Sequence, residues 1–237
     1  MEIAAGVLFR EFPESFLLFG GATLLLFHHS VRHSGDLDLL SRTDNLPSAE
    51  ELSIALTQGL APSGEALDLG PLHFEDMSMG ELDTKLWVKA ADGRKLFRID
   101  LNRFGSVIEN QVEEEEVRLE DDTITKVQTA SRDFLLLQKA ECFLLRRIVK
   151  TRDAFDISLL TDRGATLDAN LRASLADTLS AHEVETEDII KRIDQVNETR
   201  CESELRPVLP AGVFEDLAKE GFAPLRNRLR ELYAEWL

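Results

Sequence analysis

Cysteine is scarce in this chain, with two among 237 residues, Cys142 and Cys201. They lie far apart in segments with helical patterning, and no CxxC spacing occurs. This excludes a disulfide scaffold and a thiolate metal knuckle, and reads both as free packing thiols. Also missing is any uncharged apolar run of about 18 residues or more, so no segment reads as a membrane-spanning helix. The opening stretch MEIAAGVLFREFPES has neither a basic region nor a small-residue cleavage site, which predicts a cytoplasmic protein with no membrane partner. Basic residues are few, 27 against 44 acidic, for a net charge of −17. That balance opposes indiscriminate adsorption to nucleic acid or anionic lipid, so a nucleic-acid partner would have to meet a local basic patch. Neither an internal repeat nor a low-complexity linker interrupts the chain, and two lobes in close contact are expected rather than two independent domains.

What the chain does have is apolar content, 43%, ample for a core at this length. The first half carries strand signals: FLLF at 16–19, LDLL at 37–40, then TKLWVKA and KLFRIDLNRF on either side of Asp92-Gly93. The last pair reads as an antiparallel hairpin. Helices are predicted after Gly20-Gly21 and from about Ser48, where Ser48 and Glu51 match a capping box. The acidic runs at 113–116 and 120–122 read as a solvated loop or a strand edge. From about Thr129 the patterning is helical, over 131–150, 152–161, 168–181, 186–198, 212–220 and 224–236. The expected fold is therefore α+β, a mixed-sheet lobe over residues 1–128 followed by a helical lobe over 129–237.

The chemistry concentrates in LLFGGATLLLFHHSVRHSGDLDLL, which runs strand, Gly-Gly, helix, loop, strand. Alternation along a strand puts Asp36 and Asp38 on one face and Leu37 and Leu39 on the other. Gly20 and Gly21 at a strand-to-helix turn let backbone approach a ligand closely and offer N–H groups to phosphate. In FRIDLN, Asp100 sits between Ile99 and Leu101 and can project from a neighbouring strand toward the Asp36/Asp38 pair. Three carboxylates so placed suit Mg²⁺ (or Mn²⁺) and the alignment of a phosphate chain for phosphoryl or nucleotidyl transfer. The bland alternative is a pair of carboxylates facing solvent on a one-sided sheet.

The pattern GG(x)14DLD followed by a hydrophobic-Asp-hydrophobic strand resembles the DNA-polymerase-β-like nucleotidyltransferase superfamily, and in detail its AbiEii/AbiGii toxin branch. Two further elements carry the likeness over roughly residues 15–160: RHS at Arg32–Ser34 before the acidic pair, and a helical K…RD..D element matched by Lys139, Asp153 and Asp156. Gly21 departs from the pattern, standing where the superfamily often has Ser, which removes a hydroxyl contact to phosphate. The resemblance implies a polymerase-β-like catalytic lobe that moves a nucleotide from a nucleoside triphosphate to an acceptor with release of pyrophosphate. Asp36, Asp38 and Asp100 would hold the metal, Lys139 would act with them, and Gly20, Gly21, Arg32, Ser34, Asp153 and Asp156 would bind the nucleotide. In toxin relatives the acceptor is typically RNA, notably the tRNA 3′ end, and a neighbouring antitoxin protein controls the activity, as in abortive-infection systems. A small-molecule acceptor, or a silent nucleotide-binding module on the same fold, are the rival readings.

Spacing adds a basic stripe: Arg132, Lys139, Arg146 and Lys150 recur at intervals of 7, 7 and 4, nearly one helical face. Lys139 could pair with the triphosphate, and the rest could be a solvated face. Asp153 and Asp156 share a face three residues apart, with Asp153 also favoured near a helix start. His28, His29 and His33 suggest zinc only weakly, because no Cys or Glu completes a set, and they read as loop or phosphate-proximal histidines. Arg226, Arg228 and Arg230 beside Tyr233 and Trp236 read as helix packing with a basic side, with RNA contact the sharper alternative.

Overall fold

A computed structural model describes residues 1–43, 46–78, 83–102 and 109–236. By its internal contacts the chain divides into two units, Met1–His29 with Ser34–Ser131, and Ser30–His33 with Arg132–Leu237. The chain is α+β, with one mixed sheet in the first unit and helices in the second.

The first unit runs α1 (Glu2–Glu11), β1 (Phe16–Phe19), α2 (Gly20–Leu26), β2 (Asp36–Ser41), α3 (Ala49–Ala66), β3 (His73–Asp76), β4 (Asp83–Lys89), β5 (Lys95–Asn102), β6 (Val112–Arg118) and β7 (Ile124–Ala130). Its sheet has the order β3-β4-β5-β2-β1-β7-β6 among the described residues. Strand β2 is central, antiparallel to β1 and parallel to β5. Burial decides which way its side chains point: Leu37 and Leu39 are fully enclosed in the core with Leu18, Ile99, Leu101, Leu86 and Val88. Each such side chain is worth about 1.5–3 kcal/mol when buried. A one-residue slip would expose both leucines and drive two carboxylates inward, so the register is strongly specified.

The predicted hairpin forms, with β4 antiparallel to β5 and Gly93 in the left-handed region at φ 84°. The predicted strand tail at 103–104 lies outside the described residues. Ser48 and Glu51 make the reciprocal capping box that starts α3. Of the two readings for the acidic run 113–116, the strand edge is realised, since β6 is outermost in the sheet. Helix α1 is not among the predicted elements, because residues 4–9 are buried without interruption and an all-round buried helix shows no 3.6-residue period. Strands β3 and β7 also lie outside the predicted elements. β7 reads ITKVQTA but pairs in parallel with β1 through Leu18 and Thr129, a long-range match.

The second unit comprises α4 (Arg132–Leu145), α5 (Thr151–Asp162), α6 (Ala169–Ala181), α7 (Thr186–Asp194), α8 (Glu198–Glu204), α9 (Ala211–Lys219) and α10 (Ala223–Trp236). Two predicted spans are corrected. The helix expected over 131–150 stops at Leu145, where the Arg192 guanidinium of α7 donates to the Phe143 and Arg146 carbonyls at 3.2 and 2.9 Å, satisfying acceptors that a helix end leaves open. The helix expected over 186–198 breaks at Asp194, and Asn197 caps α8 by accepting from the Arg200 amide. Both cysteines are free, and burial pushes the Cys201 thiol up to about 12, which makes it inert. No helix among the described residues is long and apolar enough to cross a membrane.

Candidate active site

Residues paired across neighbouring strands share a face of the sheet. The pairs Phe19↔Asp38, Asp38↔Asp100 and Lys85↔Asp100 therefore set one row across β1, β2, β5 and β4. The pairs Asp36↔Arg98 and Trp87↔Arg98 set the next row. Asp36, Asp38 and Asp100 thus lie together on the face opposite the leucine core, as alternation predicts.

Arg98 lies between two of them. Its Nη2 is 2.7 Å from Asp100 Oδ2 and 3.2 Å from Asp36 Oδ2, and its guanidinium carbon sits 5.6 Å from the centre of the Trp87 ring. Asp100 is 8% exposed, and its Oδ1 is buried with no hydrogen-bond partner. Burial raises the Asp100 carboxyl above its ordinary value, against the opposing pull of Arg98, and the nearby Asp36 charge adds to the rise. Gly20 adopts φ 75° and packs so closely on Asp38 that a Cβ placed there would overlap the Asp38 carboxylate. Gly21 follows as a buried residue of α2.

This donor set fits a divalent cation. It is built of hard carboxylate oxygens, one of which, Asp100 Oδ1, is buried and lacks a hydrogen-bond partner, and two others already converge on a single nitrogen cation. Among the described residues no three His, Cys, Asp or Glu side chains are grouped closely enough to hold a metal as they stand. The Arg98 guanidinium contacts both Asp36 and Asp100.

In the second unit a different cluster forms. Arg32 grips Asp156 with two hydrogen bonds, Nε to Oδ1 at 2.7 Å and Nη2 to Oδ2 at 2.8 Å. Lys139 Nζ lies 2.9 Å from Asp156 Oδ2 and 3.3 Å from Asp153 Oδ1, and Arg146 reaches Asp153 Oδ2 at 3.1 Å. Asp156 is fully buried. Burial alone would raise its carboxyl, but Lys139 and Arg32 overcome that and hold it below the ordinary value. For Lys139 the same contest ends with the ammonium held above its ordinary value, burial being outweighed by Asp156 and Asp153. The His33 amide donates to the Val208 carbonyl at 2.8 Å, so the segment 30–33 is bound from both α5 and the chain following α8.

The predicted basic stripe does not exist as a helical face. Arg146 and Lys150 fall beyond the end of α4, Arg132 donates to the Arg163 carbonyl, and Lys150 pairs with Glu204 at 3.1 Å. Glu204 also accepts from the Thr151 amide and hydroxyl, capping α5 from a residue far along the chain. Ser34 donates to the Asp36 carbonyl at 3.3 Å, bracing the start of β2. Arg98 and Trp87 are site residues that sequence reasoning missed; the R-x-D spacing inside FRIDLN was the available signal. His28 is buried, whereas His29 and His33 are exposed. Arg226 donates to backbone carbonyls, and Arg228 and Arg230 pair with Asp162 and Asp194, the packing role expected of that helix. A cavity of about 350 Å³ in the second unit, lined by Arg147, His182, Glu183, Asp188, Lys191 and Arg192, contains none of the predicted site residues.

The sequence profile of a family described as "Nucleotidyl transferase AbiEii toxin, Type IV TA system" matches residues 5–234. Among curated proteins, none matches the chain significantly. Solved structures with a similar fold include JHP933 from Helicobacter pylori, at TM-score 0.58 and 15% identity, covering 99% of this chain and 91% of that one. Another is MenT4, a nucleotidyltransferase toxin from Mycobacterium tuberculosis H37Rv, at TM-score 0.53 and 14% identity, covering 99% and 89% respectively. At such identities the likeness is one of fold.

Proposed function

Because the chain belongs to the AbiEii family of nucleotidyltransferase toxins, we propose that it transfers a nucleotide from a nucleoside triphosphate to a hydroxyl acceptor, with Asp36, Asp38 and Asp100 holding Mg²⁺ or Mn²⁺. The observation that carries this reading is the Asp38↔Asp100 register on the face opposite the core, with Asp100 Oδ1 buried and unpartnered. When bound, the cation would neutralise and align the triphosphate. Gly20, lacking a side chain where the backbone meets Asp38, lets the Asp38 carboxylate pack directly against the start of α2, and we assign the Gly20-Gly21 turn to the triphosphate. Asp100 would complete the metal site and help activate the attacking hydroxyl, whose proton passes to a carboxylate of the site. The oxygen–phosphorus bond then forms at the α-phosphate as the bond to pyrophosphate breaks, and pyrophosphate leaves. Lys139 uses two of its three donors on Asp153 and Asp156, and we keep for it the catalytic role that the family resemblance implies. Arg32 and Asp156 hold Lys139 in place, and Ser34 supports the strand that carries the carboxylates.

The family's description as a toxin of a Type IV TA system supports an antitoxin partner; to this we add, as our own reading, a cytoplasmic location, an RNA acceptor such as tRNA and an abortive-infection role. One observation favours a small-molecule acceptor: at −17 the chain is acidic, and Arg132, Lys139, Arg146 and Lys150 are all engaged internally. Incubating the protein with each labelled nucleotide, Mg²⁺ and total RNA decides the matter. Label should enter RNA with wild type, and should be lost with EDTA or in Asp38→Ala. Label retained in Asp38→Ala refutes the site, and label found only in small products moves the second reading ahead.

A further inference from the structure

Resting on the metal reading above, we infer that Arg98 is a resident counter-ion of the carboxylate site, a positioning residue that a divalent cation displaces when it binds. The register faces it toward Asp36 across β2 and toward Trp87 across β4. One nitrogen, Nη2, lies within hydrogen-bond distance of both Asp36 Oδ2 and Asp100 Oδ2. That nitrogen sits between the same oxygens a cation would use, and two positive groups cannot share the position. With Arg98 in place, close carboxylates are kept from repelling one another in the absence of metal.

Release of the guanidinium is physically accessible. Its side chain is 31% exposed, and its Nε is buried without a hydrogen-bond partner, so the bound state does not satisfy all of its donors. The guanidinium already lies beside the Trp87 ring, 5.6 Å from its centre, so its movement would be felt by that ring. Metal binding and guanidinium release are then one equilibrium. A freed guanidinium adds a cation beside the phosphates, so metal and nucleotide bind with positive, reciprocal coupling.

The test uses the full chain carrying Trp236→Phe, which leaves Trp87 as the remaining tryptophan. Mn²⁺ is titrated by calorimetry and by Trp87 emission. Arg98→Gln should bind Mn²⁺ about tenfold tighter than wild type, since the charge-assisted hydrogen bond to Asp100 and the ion pair to Asp36 from a partly exposed group no longer compete. Emission should change more on metal addition in the Arg98 protein than in Arg98→Gln, where direct quenching by bound Mn²⁺ alone remains. Arg98→Lys keeps the charge but loses the fork, should tighten binding about threefold, and keeps the test decisive where the Gln variant folds poorly. The coupling between Mn²⁺ and nucleotide should shrink in Arg98→Gln. Equal or weaker Mn²⁺ binding by Arg98→Gln and Arg98→Lys overturns the inference and leaves Arg98 a structural support. Absence of Mn²⁺ binding by wild type, or undiminished binding by Asp38→Asn, overturns the metal reading itself and is distinguishable from that result.

Discussion

Asp156→Asn is the sharpest perturbation of the second unit, because it removes one charge while nearly preserving shape. In the native protein Oδ1 takes Arg32 Nε at 2.7 Å, and Oδ2 takes Arg32 Nη2 at 2.8 Å and Lys139 Nζ at 2.9 Å. An asparagine offers one acceptor oxygen and turns an NH₂ toward the other donors, so donor opposes donor. Asp156 is fully buried, Arg32 is nearly so, and the Lys139 side chain is 12% exposed, so solvent screens little. Removing one partner of such a buried cluster costs about 3–5 kcal/mol. For a chain of this size that lowers the thermal midpoint by about 6–20 °C. Two units need not unfold together, so the assay follows Trp236, buried in α10, by emission in a Trp87→Phe background. The double variant Asp156→Asn/Arg32→Gln should lose less than the sum of its parts, by more than about 1 kcal/mol. A loss below about 1 kcal/mol in the single variant, or strict additivity in the double, refutes the account.

The same cluster sets a pH window. The folded protein holds the Asp156 carboxyl below its ordinary value of 3.8, so the stability it contributes is complete above 3.8 and is lost as pH falls through the folded value. The Lys139 ammonium is held above its ordinary value of 10.5, so its contribution is complete below 10.5 and is lost as pH rises through the folded value. Unfolding titrations of wild type and Asp156→Asn should therefore differ most between these limits and converge in acid; a constant difference down to pH 2 contradicts the assignment.

Two further perturbations test the local arguments. Gly20→Ala must place a Cβ against the Asp38 carboxylate at φ 75°; it should cost about 1–2 kcal/mol in backbone strain and, by displacing Asp38, about 100-fold in transfer, and wild-type transfer rates would contradict it. Glu204→Ala removes the acceptor of the Thr151 amide and should cost about 1–2 kcal/mol in thermal unfolding, whereas Glu204→Gln keeps an acceptor and should lose clearly less. Equal losses in the two would mean that the cap carries no weight.

Which features were legible in advance follows from which physics is local. The β4–β5 hairpin announced itself through Asp92-Gly93, and α3 through the Ser48–Glu51 box, because turn and cap chemistry is written within a few residues. Helix α1 left no trace in the pattern, since it is buried along residues 4–9, and β7 joins the sheet beside β1 through a pairing more than a hundred residues apart. The end of α4 is held by Arg192, and the start of α5 by Glu204. Helical periodicity running past 145 gave no warning of either.

By itself the sequence determined that Asp36 and Asp38 share a face and turn away from Leu37 and Leu39, because a strand alternates with a period of two and burying leucine outweighs burying carboxylate. It also determined that a third carboxylate, Asp100, sits in an equivalent alternation on another strand. Only the tertiary structure decided which cation meets which anion. Arg98 could be claimed by Asp36 and Asp100 only once β2 and β5 were paired, and of the cations expected to line one helix face, Lys139 and Arg146 went to Asp153 and Asp156, Lys150 to Glu204 and Arg132 to the Arg163 carbonyl. Charge pairing acts through space over a few ångströms, and residues 32 and 156 become neighbours only after the chain has folded.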